Sequence, residues 1–238
     1  MTDFQDLRSR AGPESLLHAL SPEQAENLLS AARKETFRKG EVLFTQGDRG
    51  DSAALLVSGL VKVSAVAATG REIVFAYLSG GEMVGDLAVL DGAARTASAT
   101  AAERVECLMI HRSDIQRMIA SDPEFASAVI RFLCTRLRST NALLESDRSY
   151  EQAARLARGL LRLLKEHGYR AAEAGQLGIA ISQNDLGAFV SMARENVSRQ
   201  ISDWNRAGII DVEKGRITVI DREALEEIGD VWEDDYDA

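Results

Sequence analysis

Between Thr36 and Ile110 apolar residues come only in short runs, and glycines interrupt them. The runs are Val42-Leu43-Phe44, Ala53 to Val57, Leu60 to Val66, Ile73 to Leu78 and Val105 to Ile110. Gly40, Gly47, Gly50, Gly59, Gly70, Gly80-Gly81 and Gly92 part them. A strand is complete within a few residues, whereas a core-facing helix needs roughly ten or more. Glycine supplies the backbone freedom of the tight turns between strands. The block therefore predicts a compact antiparallel β-barrel or β-roll.

Helical signals flank it. Ser21-Pro22-Glu23-Gln24 is a helix start, with a capping serine, proline at the first position and a glutamine partner, continued by Ala25, Leu28, Leu29 and Ala32. Ser113 to Ala120 predicts a short helix, and Asp122-Pro123-Glu124 opens a longer one. In the latter Ala126, Ile130, Leu133, Leu137, Thr140 and Leu144 step alternately by four and three, the seam of a coiled coil. Its expected partner is the same helix of a second copy. Thr140 within that seam needs a hydrogen-bond partner, through a ligand or by fixing the register of the helices. A hinge near Arg148–Tyr150 then leads to a helix from Glu151 to His167.

Residues 181–210 carry two helical patterns. Ser182 caps the first, with Asp185 as the reciprocal half of a capping box and Leu186 and Val190 on one face. After a break at Ser191-Met192, Val197, Ile201 and Trp204 form the stripe that docks a second helix on the first. The opposite face offers Glu195, Arg199, Ser202 and Arg206, with Arg194 in the first turn. Arginine gives two donors to guanine and a carboxylate accepts from cytosine, so this helix is equipped to read a DNA major groove. The competing reading is a solvated charged face on an ordinary helix pair. Beyond Gly208, Ile209 to Val212 and Arg216 to Ile220 flank Lys214-Gly215 as a β-wing.

A formal net charge of −9 looks wrong for a DNA binder until it is apportioned. Residues 1–148 hold 17 basic against 20 acidic side chains, 149–220 hold 10 against 8, and 221–238 hold 1 against 9. Only the middle segment is net positive. The acidic end reads as a solvated, frayed tail, or as a segment that tempers nonspecific DNA binding. No apolar run approaches the ~18 residues of a membrane span. The N-terminus Met-Thr-Asp-Phe-Gln-Asp lacks a basic-then-apolar signal. A cytoplasmic protein with no membrane partner is expected. Cys107 and Cys134 lie in apolar patterns, outside any CxxC pair or metal quartet, and are expected as buried free thiols.

Three strings carry a family resemblance, in order along the chain. They are Phe37-Arg38-Lys39-Gly40-Glu41-Val42-Leu43-Phe44-Thr45-Gln46-Gly47-Asp48, the segment Gly81 to Ala99 with Gly85-Asp86-Leu87-Ala88 and Arg95-Thr96, and Arg194-Glu195-Asn196-Val197-Ser198-Arg199. They resemble the opening strand, phosphate-binding cassette and recognition helix of the catabolite activator protein and fumarate-nitrate regulator superfamily of bacterial transcription factors. The resemblance runs from about Leu20 to Ile220. It implies an α+β chain: an antiparallel β-roll sensor of the cyclic-nucleotide-binding kind over 1–121, a dimerisation helix and hinge over 122–150, and a winged helix-turn-helix with acidic tail over 151–238.

The resemblance also implies roles. Gly85, Asp86, Leu87 and Ala88 would turn the backbone around the phosphate of cyclic AMP or cyclic GMP, with Arg95 as its charged fork and Thr96 as a hydroxyl. Relatives usually carry glutamate where Asp86 stands, accepting from the ribose 2′-hydroxyl. Thr140 and Asn141 would read the base across the dimer. Arg194 and Arg199 would each read a guanine and Glu195 a cytosine, with Asn196 and Ser198 beside them, on a TGTGA-like inverted repeat. Ala193 replaces the usual serine cap. RNA polymerase is a possible partner through the His167–Gly175 loop. Against an enzyme of the cupin type, His18, His111 and His167 are isolated rather than clustered. No cysteine precedes Cys107, which argues against the iron-sulfur branch. No metal, haem or catalytic residue is expected, and a DNA-binding regulator of the same fold that needs no ligand, or answers to another effector, is the remaining alternative.

Overall fold

The computed structural model describes residues 4–12, 15–149, 151–167, 181–213 and 216–230, with the backbone alone over 142–149. The polymerase-facing loop expected from residue 168 on, Tyr150 of the expected hinge, the Lys214-Gly215 wing tip and the acidic residues from 231 on lie outside these. The chain divides into two compact units, Met1–Thr140 and Asn141–Ala238.

The first unit opens with helices α1 (Phe4–Arg10), α2 (Leu16–Ala19) and α3 (Pro22–Ser30). Strands β1 (Arg33–Phe37), β2 (Val42–Phe44), β3 (Ser52–Ser58), β4 (Val61–Val66), β5 (Glu72–Leu78) and β6 (Met83–Val84) follow. Helix α4 (Asp86–Asp91), strands β7 (Ser98–Ala101) and β8 (Val105–His111), helix α5 (Arg112–Ser121) and the part of helix α6 (Pro123–Ser149) up to Thr140 complete it. Two four-stranded antiparallel sheets result, in the orders β1-β8-β3-β6 and β2-β7-β4-β5. This is the roll that the glycine-parted runs predict.

Strand periodicity explains its two cores. Along β3, Ala54 and Leu56 face the space between the sheets with Cys107 and Met109 of β8. The alternate residues Ala53, Leu55, Leu108 and Ile110 face the helices, packing with Leu17, Leu28 and Phe125. Both faces of these strands are covered, so each reads as a continuous apolar run. Cys107 is a buried free thiol, and burial pushes its pKa up to about 11. Cys134 corrects the sequence expectation: it is exposed on α6. An apolar neighbourhood in sequence does not bury a residue on a helix face that no element covers.

Helix α6 spends one face on its own unit, where Phe125, Ala128, Val129 and Phe132 are buried. On the seam, Leu133 packs partly against that core, while Ile130 and Leu137 are 61% and 62% exposed. The side chain of Leu144 lies outside the described residues. Thr140 satisfies its hydroxyl locally by donating to the Arg136 carbonyl at 2.8 Å.

A polar relay fixes the start of α6. Ser21 and Gln24 form the capping box of α3. The Gln24 amide also donates to Asp122 at 3.0 Å. The other Asp122 oxygen accepts from the backbone of Glu124 and Phe125 at 2.9 and 3.1 Å.

In the second unit α7 (Gln152–His167) buries Leu156, Leu160 and Leu163. Gly159 leaves no room for a side chain against Val190. Helix α8 (Gln183–Phe189) is capped by Ser182, which accepts from the Asp185 N–H at 3.0 Å. Ser191, at φ 55°, makes the turn into α9 (Arg194–Arg206), which buries Val197, Ile201 and Trp204 as its spacing requires. A Cβ on Gly187 would stand 2.8 Å from the Met192 carbonyl, so glycine permits the close approach of α8 to this turn. Strands β9 (Ile210–Glu213) and β10 (Arg216–Val219) pair antiparallel as the wing.

The acidic end needs a second correction. Residues Arg222–Gly229 form α10, capped by Asp221 and buried through Leu225. Arg158 of α7 donates to the Gly229 and Asp230 carbonyls at 2.6 and 2.5 Å, occupying acceptors that a helix C-terminus leaves open. This stretch is a packed helix rather than a frayed tail.

The Asp122 relay yields a prediction. Its hydrogen bond to Gln24 and those from the Phe125 and Glu124 backbone hold the carboxyl below its ordinary value. A depressed carboxyl stabilises above the unfolded value of about 3.9 and loses that contribution as pH falls through the folded value. Asp122→Ala is expected to lower Tm at pH 7 and to reduce the fall in stability below pH 4, both measurable by thermal melts across pH.

Candidate ligand cleft and nucleic-acid interface

One cleft of the first unit gathers most of the residues assigned to a ligand. Gly85, Asp86, Leu87, Ala88, Arg95 and Thr96 line it, together with Phe44, Val63, Leu78 and Arg136. The β6-to-α4 turn builds its floor. Gly85 caps α4 at φ 81°, and a Cβ there would run into the Arg95 guanidinium and lie 3.0 Å from Phe44. Glycine is required on both counts.

Arg95 is 5% exposed. It donates to the Gly85 carbonyl at 2.9 Å and to the Ser52 carbonyl, and stacks 3.8 Å from the centroid of the Phe44 ring. Burial draws its pKa below the ordinary arginine value, opposed by the charges of Asp51, Asp48 and Asp86. Arginine starts so high that it keeps its charge. Its Nε is buried with no hydrogen-bond partner. A charged donor left over in a buried site is disfavoured unless an acceptor, preferably anionic, meets it.

Asp86 is 4% exposed and ion-paired with Arg136 of α6. Sequence reasoning missed Arg136, because attention to the apolar seam passes over a charged residue between its positions. The signal was present: Arg136 stands one turn before Thr140. Thr140 itself is not among the lining residues, and Thr140 and Asn141 are exposed on α6. With Arg95 and Arg136 folded inward the cleft measures about 60 Å³. Ligand pockets usually begin near ~300 Å³, so a ligand of nucleotide size enters only when a side chain yields.

The second unit presents a different surface. Arg194, Glu195, Ser198, Arg199, Ser202, Asp203 and Arg206 line one open, shallow face of α9. Arg194, Glu195 and Arg199 are exposed and, among the described residues, take no ion pair, so their hydrogen-bonding groups stand free. Asn196 and Ser198 are half-buried beside them. The helix begins at Ala193 without a side-chain cap. Among the described residues no three histidines, cysteines or carboxylates converge as a metal site, and no helix is long and apolar enough to cross a membrane.

A roll with a basic, backbone-lined cleft and a winged helix-turn-helix define a two-domain DNA-binding regulator. Comparison with known proteins agrees. Residues 34–122 match the cyclic nucleotide-binding domain and residues 154–228 the Crp-like helix-turn-helix domain. A cyclic AMP receptor protein of Thermus thermophilus is 32% identical over 213 residues, covering 90% of this chain and 95% of that protein. A CRP-like cAMP-activated global transcriptional regulator of Mycobacterium tuberculosis is 28% identical over 222 residues, covering 93% and 98%. FixK2 from Bradyrhizobium japonicum shares the fold with a TM-score of 0.73 at 21% identity, over 83% of this chain and 96% of that one. The chain belongs to the CRP/FNR family: it is a DNA-binding transcription regulator carrying a cyclic nucleotide-binding domain.

Replacing Gly85 tests the construction of the cleft. Gly85→Ala places a side chain at positive φ and against Arg95, a strain of about 1–3 kcal/mol. Lower stability in denaturant melts, with the Arg95 packing disturbed, is the expected result.

Proposed function

We propose that the chain acts as a cytoplasmic homodimer controlled by cyclic AMP or cyclic GMP, reading a TGTGA-like inverted repeat. Arg95 carries the ligand half of this reading: a buried guanidinium with an unspent donor, beside a glycine turn. The residues fit a cyclic nucleotide. Arg95 would meet the phosphate with the backbone of Gly85 to Ala88, Thr96 would add a hydroxyl, and Asp86 would accept from the sugar. Thr140 and Asn141 would approach the base from the partner copy. Ile130 and Leu137, seven residues apart and exposed, support the seam as the dimer interface. Burying each fully is worth roughly 1.5–3 kcal/mol.

Control then works as a population shift. A ligand that competes for Asp86 frees Arg136, which sits on the helix that carries the seam, and the dimer would settle with its recognition helices one DNA turn apart, ~34 Å. RNA polymerase is the partner such a regulator would engage. A second reading, DNA binding without a ligand, has its own support. The Arg95 Nη groups already bond the Gly85 and Ser52 carbonyls, and Arg136 closes on Asp86.

Calorimetry separates the two. Under the first reading wild-type protein binds cyclic AMP or cyclic GMP and Arg95→Ala abolishes that binding. Silence of the wild type toward both at millimolar concentration leaves the ligand-free reading standing.

The DNA half is tested by selection from a random pool. A guanine-containing inverted repeat is expected, the inversion reporting the dimer. Arg199→Ala should relax one guanine position by ~1–3 kcal/mol. Winning sequences without guanine in an inverted repeat would refute the roles of Arg194, Glu195 and Arg199.

A further inference from the structure

The DNA-reading face does not end at Arg199. Glu195, Arg199, Ser202 and Arg206 recur at i, i+4, i+7 and i+11, so Arg206 points along the same face of α9, and all four line one shallow depression. At ~1.5 Å per residue, Arg206 stands roughly 18 Å along the axis from Arg194. The major groove is only ~12 Å wide. With the N-terminal residues of the helix at base edges, its last turn would leave the groove floor and lie against the sugar-phosphate wall.

Arg206 is ion-paired with Asp203, which shares that depression. Their side chains are 78% and 47% exposed, so water already competes for both charges and the pair is easily exchanged. A phosphate offers the same guanidinium a charge-assisted, bidentate alternative. Asp203, left behind, repels the same backbone.

Resting on the DNA-binding reading, we propose that Arg206 is a phosphate-contacting residue that trades Asp203 for the DNA backbone beside each half-site. Asp203 is thereby a brake on sequence-independent binding. The pair sets how strongly the chain holds any duplex, whereas Arg194, Glu195 and Arg199 set which duplex it holds. Its position in the last turn of α9 also suits Arg206 to a purely structural role at the helix end, and salt dependence distinguishes the two.

The test measures affinity of the full-length protein for selected and scrambled duplexes over a range of salt, with saturating effector if calorimetry finds one. R206Q is expected to weaken both duplexes by the same factor and to flatten the log–log salt slope by about 0.9 per half-site. R206K, which keeps the charge, should retain the slope. D203N should tighten both duplexes equally, most at low salt. Thermal melts of each variant separate loss of contact from loss of fold. R206Q that leaves slope and affinity unchanged, or that alters preference at one base pair alone, overturns the proposal while the DNA-binding reading stands. A wild type that prefers no duplex defeats the reading itself, and this inference with it.

Discussion

Burying one guanidinium organises the sensor unit. Arg95 lies among a ring face from β2, a carbonyl at the start of β3 and the carbonyl of the turn before α4, so both sheets of the roll converge on it. A charge taken from water must be met at every donor or it destabilises the fold. The arrangement meets part of that demand with backbone carbonyls and leaves Nε open. Gly85 makes the arrangement possible, since any side chain there would occupy the space that the guanidinium takes. On the proposed reading, structural anchor and anion receptor are the same group.

Helix α6 extends the consequence. Its buried residues complete the core of the roll, its exposed stripe at Ile130 and Leu137 faces outward, and Arg136 between them reaches Asp86 in the cleft. Arg136 follows Phe132 by four residues and Val129 by seven, so it prolongs the buried face of the helix into the cleft, while Ile130 and Leu137 share another face. The Asp86–Arg136 ion pair thus ties the cleft to the helix that carries the exposed stripe. The Asp122–Gln24 relay fixes the start of α6 to α3.

Reading the chain alone recovered what repeats or punctuates. The runs of β3 and β8, the Ser21 capping box and the Val197–Ile201–Trp204 stripe all announce themselves through period or chemistry, and the cleft residues through the resemblance. Strand β1 did not, because Arg33-Lys34-Glu35-Thr36-Phe37 is an edge strand held by backbone pairing to β8 with little apolar burial. Helix α10 was hidden by its acids: Leu225 is fully buried, yet Glu223, Glu226 and Glu227 dominate the composition. Arg136 and the exposure of Cys134 depend on which face of α6 meets the roll, and tertiary packing alone decides that.

Charge remains to be reconciled with DNA. Interactions beyond about 8 Å are largely screened at physiological salt, so the formal net charge of −9 says little about a surface as local as the face of α9. That face is nevertheless sparing in cations. Among the described residues Arg194 and Arg199 take no ion pair, Arg206 is matched by Asp203, and Glu195 adds another negative charge. A face with few cations releases few counterions and by itself adds little nonspecific affinity. A regulator built this way cannot rely on the backbone for its hold on DNA. On the proposed reading a larger share comes from contacts to base edges, where Glu195 serves as an acceptor for cytosine.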